Sequence, residues 1–210
     1  MIFLFNAQKL IYMLRNLFPA LMLVLILNAC HQEAPKPVAT TENGTAYDTL
    51  KGLNYVITTQ KVLNQHLMAT VHKGGVGAAL AFCNENAIRL TDSVADANHI
   101  KIKRVSDKNR NPSNAANKNE LRYIAWAKER LAAGKRPKPK FEKTAQGVQV
   151  YFPIITQNLC LKCHGQIQTD VPDSLLKTIR ELYPNDKAIG YKENELRGIW
   201  VLEMMDEKKK

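Results

Sequence analysis

The sequence predicts an α+β domain with one antiparallel sheet. Two observations predict it. Apolar residues recur at helical spacing in two long runs after residue 45 and in two shorter runs further on. Segments of period two are few and are separated by those runs, which suits a sheet mixed with helices better than an all-helical bundle.

The chain opens on a segment of a different kind. Met1 to Ala29 contains no acidic residue, and Lys9 and Arg15 are its only charges. It reads as an export signal whose apolar stretch, Leu17 to Leu27, is broken by Pro19 and too short to span a bilayer comfortably. Translation from Met13 would leave a compact signal with Arg15 as its basic end. Leu27-Asn28-Ala29-Cys30 resembles the lipobox of bacterial lipoproteins, although Asn28 departs from the usual small residue. Cys30 is therefore the expected lipidation site; plain cleavage near Ala29 would instead leave a soluble periplasmic protein. By resemblance to the lipoprotein sorting rule, His31 favours the outer membrane. Residues 30–45, rich in Pro, Thr, Ala and Asn, suit a flexible tether on the periplasmic side of the envelope.

Without residues 1–29 the chain keeps 181 residues, enough for one core, expected over 46–205 with a charged tail at 206–210. Thr45 and Asp48 offer a cap for a long helix to about His72, with Leu53, Val56, Ile57, Leu63, Leu67 and Val71 at helical spacing. Gly74, Gly75 and Gly77 break it. A second helix carries Val76, Ala79, Leu80, Cys83 and Ala87 on one stripe, so Cys83 is expected to face inward. Ile100 to Val105 alternates apolar and basic residues as a half-exposed strand. Over 106–114, Pro112 keeps Asn111 out of helix and the asparagines favour turns. Lys118 to Ala133 is helical again and Gly134 ends it. Lys135 to Lys140 holds Pro137 and Pro139 and reads as an extended, mobile loop. Gly147 to Ile155 alternates as a strand. Asp173 is the expected cap of a helix to Leu182, stopped by Tyr183-Pro184-Asn185-Asp186, and Arg197 to Met204 is the last strand.

Between the Gly147 strand and the Asp173 helix stands Cys160-Leu161-Lys162-Cys163-His164. Two cysteines at this spacing with histidine directly after them form the haem attachment signature of c-type cytochromes. Both sulfurs add to the haem vinyl groups, and the imidazole, tethered beneath the metal, becomes the fifth iron ligand. Cys160, Cys163 and His164 are thus the candidate haem c residues, with His164 on the iron. Three other readings compete. A structural zinc site would need two further soft ligands at a matching spacing, and a thioredoxin-like pair would need a βαβ setting. An ordinary disulfide fits the spacing but leaves His164 unexplained. Cys83 is then unassigned, and an odd thiol in an oxidising compartment calls for an explanation.

The formal charge is +11, or about +9 without Lys9 and Arg15. From Lys101 to Lys143 there are fourteen Lys and Arg against Asp107, Glu120, Glu129 and Glu142, nearly the whole excess. Export disfavours nucleic acid as the counterpart. Acidic redox partners, anionic lipid headgroups or haem propionates remain, beside a solvated basic face without a partner.

Four segments carry a wider resemblance: Ala81-Phe82-Cys83; Arg104-Val105-Ser106 with Arg110-Asn111-Pro112-Ser113-Asn114; Cys160 to Gly165; and Tyr183 to Ala188 with Gly190-Tyr191 and Arg197-Gly198. Together they resemble a bacterial family of exported, single-haem c-type proteins, a domain of unknown function whose fold is similar to PAS sensor domains. The similarity runs from about Thr45 to the end. It implies a PAS-like domain with a central antiparallel sheet, long N-terminal helices and one covalent haem. It also implies that Cys83 is the sixth iron ligand, opposite His164. His66, His72, His99, Met68, Met204 and Met205 are the rivals, more simply read as surface histidines and core methionines.

An anionic thiolate ligand favours ferric iron and a low potential. On reduction, Cys83 is expected to take up a proton and leave, opening a place for a small ligand. That makes a redox or small-ligand sensor the expected function. The chain holds no kinase, methyl-accepting or cyclase segment, so the signal is expected to pass to a separate periplasmic or membrane protein. The alternative is an electron-transfer cytochrome docking an acidic partner through the basic region. A peroxidase-type enzyme is disfavoured, since six-coordinate iron leaves no open position. Arg104, Arg110 and Asn114 are expected to brace a turn and to touch a propionate.

Overall fold

The structure, a computed structural model, describes residues 45–145 and 147–205. The export segment 1–29 with Met13, the lipidation site Cys30, most of the tether 30–45 and the tail 206–210 lie outside them. Within the described part, a helical hairpin and a shorter helix cover opposite faces of one sheet.

The hairpin is α1, Thr45–Ala97, broken at Gly75 (φ 74°, ψ −173°), a backbone conformation open essentially to glycine. The chain reverses there. The two limbs, 45–74 and 76–97, run back along each other, so that His66 stacks on Phe82 with ring centroids 6.0 Å apart. Val56 and Leu63 of the first limb join Ala95 of the second in one core cluster. The two expected helices are thus one hairpin hinged in the glycine run. Leu53 and Ile57, expected on its apolar face, are instead exposed, because the sheet takes up the neighbouring stripe of Gly52, Val56 and Leu63.

β1 (Lys101–Val105), β2 (Lys140–Thr144), β3 (Gly147–Ile155) and β4 (Leu196–Met205) form an antiparallel sheet of order β1-β4-β3-β2. Side chains alternate between its faces. Ile102, Val150, Phe152, Trp200, Leu202 and Met204 meet α1. Val105, Tyr151, Ile199 and Val201 meet Tyr123, Ile124 and Ala127 of α2, Lys118–Ala132. Gly198 lets β1 and β4 close up, since a Cβ there would stand 2.5 Å from the Val105 carbonyl oxygen. Asn117 caps α2, its side chain accepting from Asn119 and Glu120 while the buried Glu120 carboxylate accepts from the Asn117 N–H at 2.7 Å. Lys103 reaches the same carboxylate across the sheet face at 2.8 Å.

Three elements depart from the expected order. Lys140 begins a strand, β2, instead of closing a mobile loop. Lys-Phe-Glu-Lys-Thr escaped recognition because only Phe141 of this edge strand packs on the core. Pro112–Asn114 forms a 3₁₀ turn. The cysteine motif itself is helical, in α3, Asn158–His164. A last helix, α4 (Asp173–Leu182), begins after Pro172, with Asp173 inside its first turn where a carboxylate favours the helix dipole, not at the cap. α4 and the second limb of α1 enclose a third cluster, Leu80, Val171, Leu175, Leu176 and Ile179, with Cys163 at its margin.

Candidate haem site

α3 follows directly on β3. Thr156, fully buried between them, donates its hydroxyl to the Lys192 carbonyl at 2.6 Å and accepts from the Glu195 N–H at 2.8 Å, which fixes where the helix starts. Residues three apart share a helix face, so Cys160 and Cys163 present their sulfurs on one side. His164 follows at the last position, and Gly165 ends the helix where any side chain would collide with Asp170.

His164 Nδ1 lies 2.8 Å from the Ala188 carbonyl oxygen. A carbonyl can only accept, so Nδ1 carries the hydrogen and Nε2 keeps the lone pair that a metal needs. Tyr191 meets the imidazole edge-on at 6.3 Å. Burial, reinforced by Arg197 and Arg110, holds the imidazole pKa well below its ordinary value, so His164 favours the neutral form that a metal would require.

Cys83 projects from the second limb, half-buried. Burial pushes its thiol pKa up, and Arg104 and Arg110 oppose that shift. Burial raises Cys163 as well, Arg110 lowers it, and the charges of Cys83 and Cys160 add to the rise. Cys83 therefore stands within electrostatic reach of the motif. Leu80, almost one turn before it, packs in the cluster that Cys163 borders. Cys83, Cys160 and Cys163 are all free thiols, so the motif is not closed as a disulfide. Its helix in an antiparallel sheet is also not the βαβ setting of a thioredoxin pair. Among the rival ligands, His66 lies against Phe82, His72 and His99 are exposed, Met68 is half-buried on α1 and Met204 is buried on the face of the sheet that meets α1. The Met205 side chain is outside the described residues.

Arg110 ties these parts together. Its guanidinium grips Asp186 with both contacts at 3.2 Å and donates to the carbonyls of Cys163 at 2.7 Å and Ala188 at 3.4 Å. Asp186 in turn accepts from the Ala188 N–H at 2.9 Å. The carbonyl that orients His164 and the peptide of Cys163 thus hang on one buried ion pair. Asn114 braces the same loop through its backbone, accepting from the Ser106 N–H at 2.9 Å. Arg104 does not brace. It stacks on Trp200 at 5.3 Å, with no carboxylate on it among the described residues.

Sequence reasoning named the Arg-Asn-Pro and Tyr-Pro-Asn-Asp segments without joining them, and it gave no role at the site to Asp186, Ala188 or Tyr191. A signal existed: a buried arginine requires a carboxylate, and Asp186 is the acid of the second segment. Arg197, named with Gly198 in the resemblance, also had no role at the site. It stacks on Tyr191 at 5.4 Å and donates to the Lys108 carbonyl at 3.1 Å, while its buried Nε has no partner.

The donor set fits haem. Two thiols on one helix face, an imidazole with a free Nε2, a third thiol from another element and a buried Nε without an acceptor complement an iron porphyrin with two carboxylates. An open cavity of about 520 Å³, walled by Val76, Lys162, Leu175 and Thr178 among others, adjoins this set without including the ligands themselves.

The model of the Tll0287-like family matches residues 29–204. The crystal structure of the cyanobacterial heme-protein Tll0287 superposes with a TM-score of 0.54 at 22% identity, over 74% of this chain and 96% of that one. This likeness carries the mixed helical and antiparallel-sheet fold. No curated protein matches the chain.

Proposed function

The chain belongs to the Tll0287-like family, and from that membership and the geometry around His164 we propose that it is a c-type haem protein acting as a redox or small-ligand sensor. One observation carries the reading. The histidine directly after Cys160 and Cys163 has its Nδ1 committed to the Ala188 carbonyl, so its other nitrogen is free, and a third thiol, Cys83, converges from α1. The heme named for the related cyanobacterial structure supports the same cofactor here.

Haem, when bound, would supply one redox-active iron. Cys160 and Cys163 would hold the group through thioethers, and His164 would bind the metal from the same helix. Cys83 is the proposed second protein ligand. As a thiolate it binds, and as a thiol it does not; Arg104 and Arg110 favour the thiolate while burial favours the thiol. Two opposed influences of this kind suit a ligand that can be released. A displaced Cys83 frees the second limb of the hairpin, which is the element a PAS-like sensor would move. The protein would face the periplasm from a lipid at Cys30 and signal to a separate envelope protein.

Electron transfer through the basic region is the competing reading. Of the basic region 101–143, the part over 118–143 belongs to α2, β2 and their connection, and α2 packs on the face of the sheet away from α1 and Cys83, while Arg104, Lys108 and Arg110 stand at the candidate site. Docking on the α2 part would leave the sheet between partner and haem.

The test is the mass and spectrum of protein made in a strain competent for haem ligation. A covalent mass gain of one haem is expected, with a ferric thiolate spectrum that is lost in Cys83→Ala and altered on reduction. Colourless protein with the mass of the bare polypeptide would end the haem reading. Unchanged ligation on reduction would end the sensing one.

A further inference from the structure

Resting on the haem reading above, we propose that Arg104 and Arg197 form the seat of two carboxylates, those of the haem propionates. The two arginines come from neighbouring strands: Arg104 is the register partner of Trp200 and lies on its ring at 5.3 Å, and Arg197, the second residue of β4, stands three residues before Trp200. Arg197 is also tied to the ligand side of the site. It stacks at 5.4 Å on Tyr191, the ring that meets His164 edge-on.

Neither guanidinium is neutralised. Arg104 makes no hydrogen bond and no ion pair among the described residues beyond its ring contact. Arg197 spends one nitrogen on the Lys108 carbonyl and leaves a buried Nε unmatched. The acid of this neighbourhood, Asp186, is gripped at both oxygens by Arg110. Arg197 also stands within electrostatic reach of Arg104, and its like charge adds to the cost of burial there. The buried, unmatched Nε of Arg197 is costly, Arg104 is half-buried with no carboxylate on it among the described residues, and the fork geometry of arginine matches a carboxylate. A group that brings two carboxylates to the Cys83–His164 site would give each arginine a partner. Of the two arginines expected at a propionate from the sequence, Arg110 is already committed to Asp186, which leaves Arg104.

The seat is tested on the holoprotein with Arg104→Gln and Arg197→Gln, read by mass, by resonance Raman spectra of the propionate bending modes, and by reduction potential against pH. Both variants should keep the covalent haem mass, shift the propionate band, lower the potential, and gain a pH-dependent segment in the weakly acidic range where a released carboxylate titrates. Arg130→Gln is the control. It removes the same charge, also with an unmatched Nε, on the α2 side of the sheet, and should leave the band and the profile native. Should the glutamine variants not accumulate, Arg104→Lys and Arg197→Lys keep the charge without the fork and should still shift the band. Haem-loaded variants with a native band and a native profile overturn the proposal. So does a native band together with a potential that responds to added succinate in the native protein alone, which would assign the arginines to a free dicarboxylate. Native protein without haem mass would instead sink the earlier reading, and the two failures are told apart by mass.

Discussion

Arg110 and Asp186, 76 residues apart in the chain, close a two-point ion pair whose side chains are only 10% and 6% exposed. Through it the loop before the 3₁₀ turn, the end of α3 and the Asp186–Ala188 turn are one unit. Removing one partner strands the other charge in the interior. Asp186→Ala should cost about 3–5 kcal/mol in urea denaturation. Arg110→Met combined with Asp186→Leu should cost less than the sum of the single changes, as a double-mutant cycle would show.

The hairpin turns on one residue. Gly75 has a φ of 74°, where a Cβ meets its own backbone although nothing else stands within 4 Å. Gly75→Ala should therefore lower stability by about 1–2 kcal/mol without any packing clash. Thermal unfolding followed by circular dichroism measures it, and Gly77→Ala, in open space without positive φ, should show no such loss.

Glu120 serves two masters, the Asn117 N–H at the cap of α2 and Lys103 on β1. Glu120→Gln keeps the shape and removes the charge from a fully buried position. A loss of about 1–3 kcal/mol is expected. It should change little between low and high salt, because the carboxylate is out of reach of screening ions.

Three buried phenols make the fold sensitive to alkali. Burial pushes Tyr183 up to about 12 and drives Tyr123 and Tyr151 higher still. The unfolded chain ionises these groups from about pH 10 onward while the folded one keeps them neutral. Their contribution is therefore complete below pH 10 and is lost as pH rises toward and past the folded value. Urea midpoints should fall over that range, and Tyr183→Phe should flatten the first part of the fall. An alkaline profile identical in native protein and variant would contradict it.

Much of this architecture was legible beforehand. β3 falls on the residues that its period indicated, and β1, α2, α4 and β4 lie within one residue or so of their expected bounds. What escaped was governed by tertiary partners. β2 carries no amphipathic signal because an edge strand can be satisfied by pairing alone. Leu53 and Ile57 have the spacing of core residues, but which stripe of a long helix is covered depends on where the second limb and the sheet come to rest. At the site, Cys160, Cys163 and His164 announced themselves through local spacing. Asp186 and Arg197 could not, since their meaning lies in contacts made across 76 and 89 residues.

The sheet between α1 and α2 has a practical corollary. Charge on the outer side of α2 is separated from Cys83 by at least a layer spacing of about 10 Å, comparable to the Debye length at 0.1 M salt. Recharging that flank, whether to improve solubility or to attach the molecule to an electrode, should leave the thiol's chemistry undisturbed. The flank and the cleft can be engineered as independent compartments.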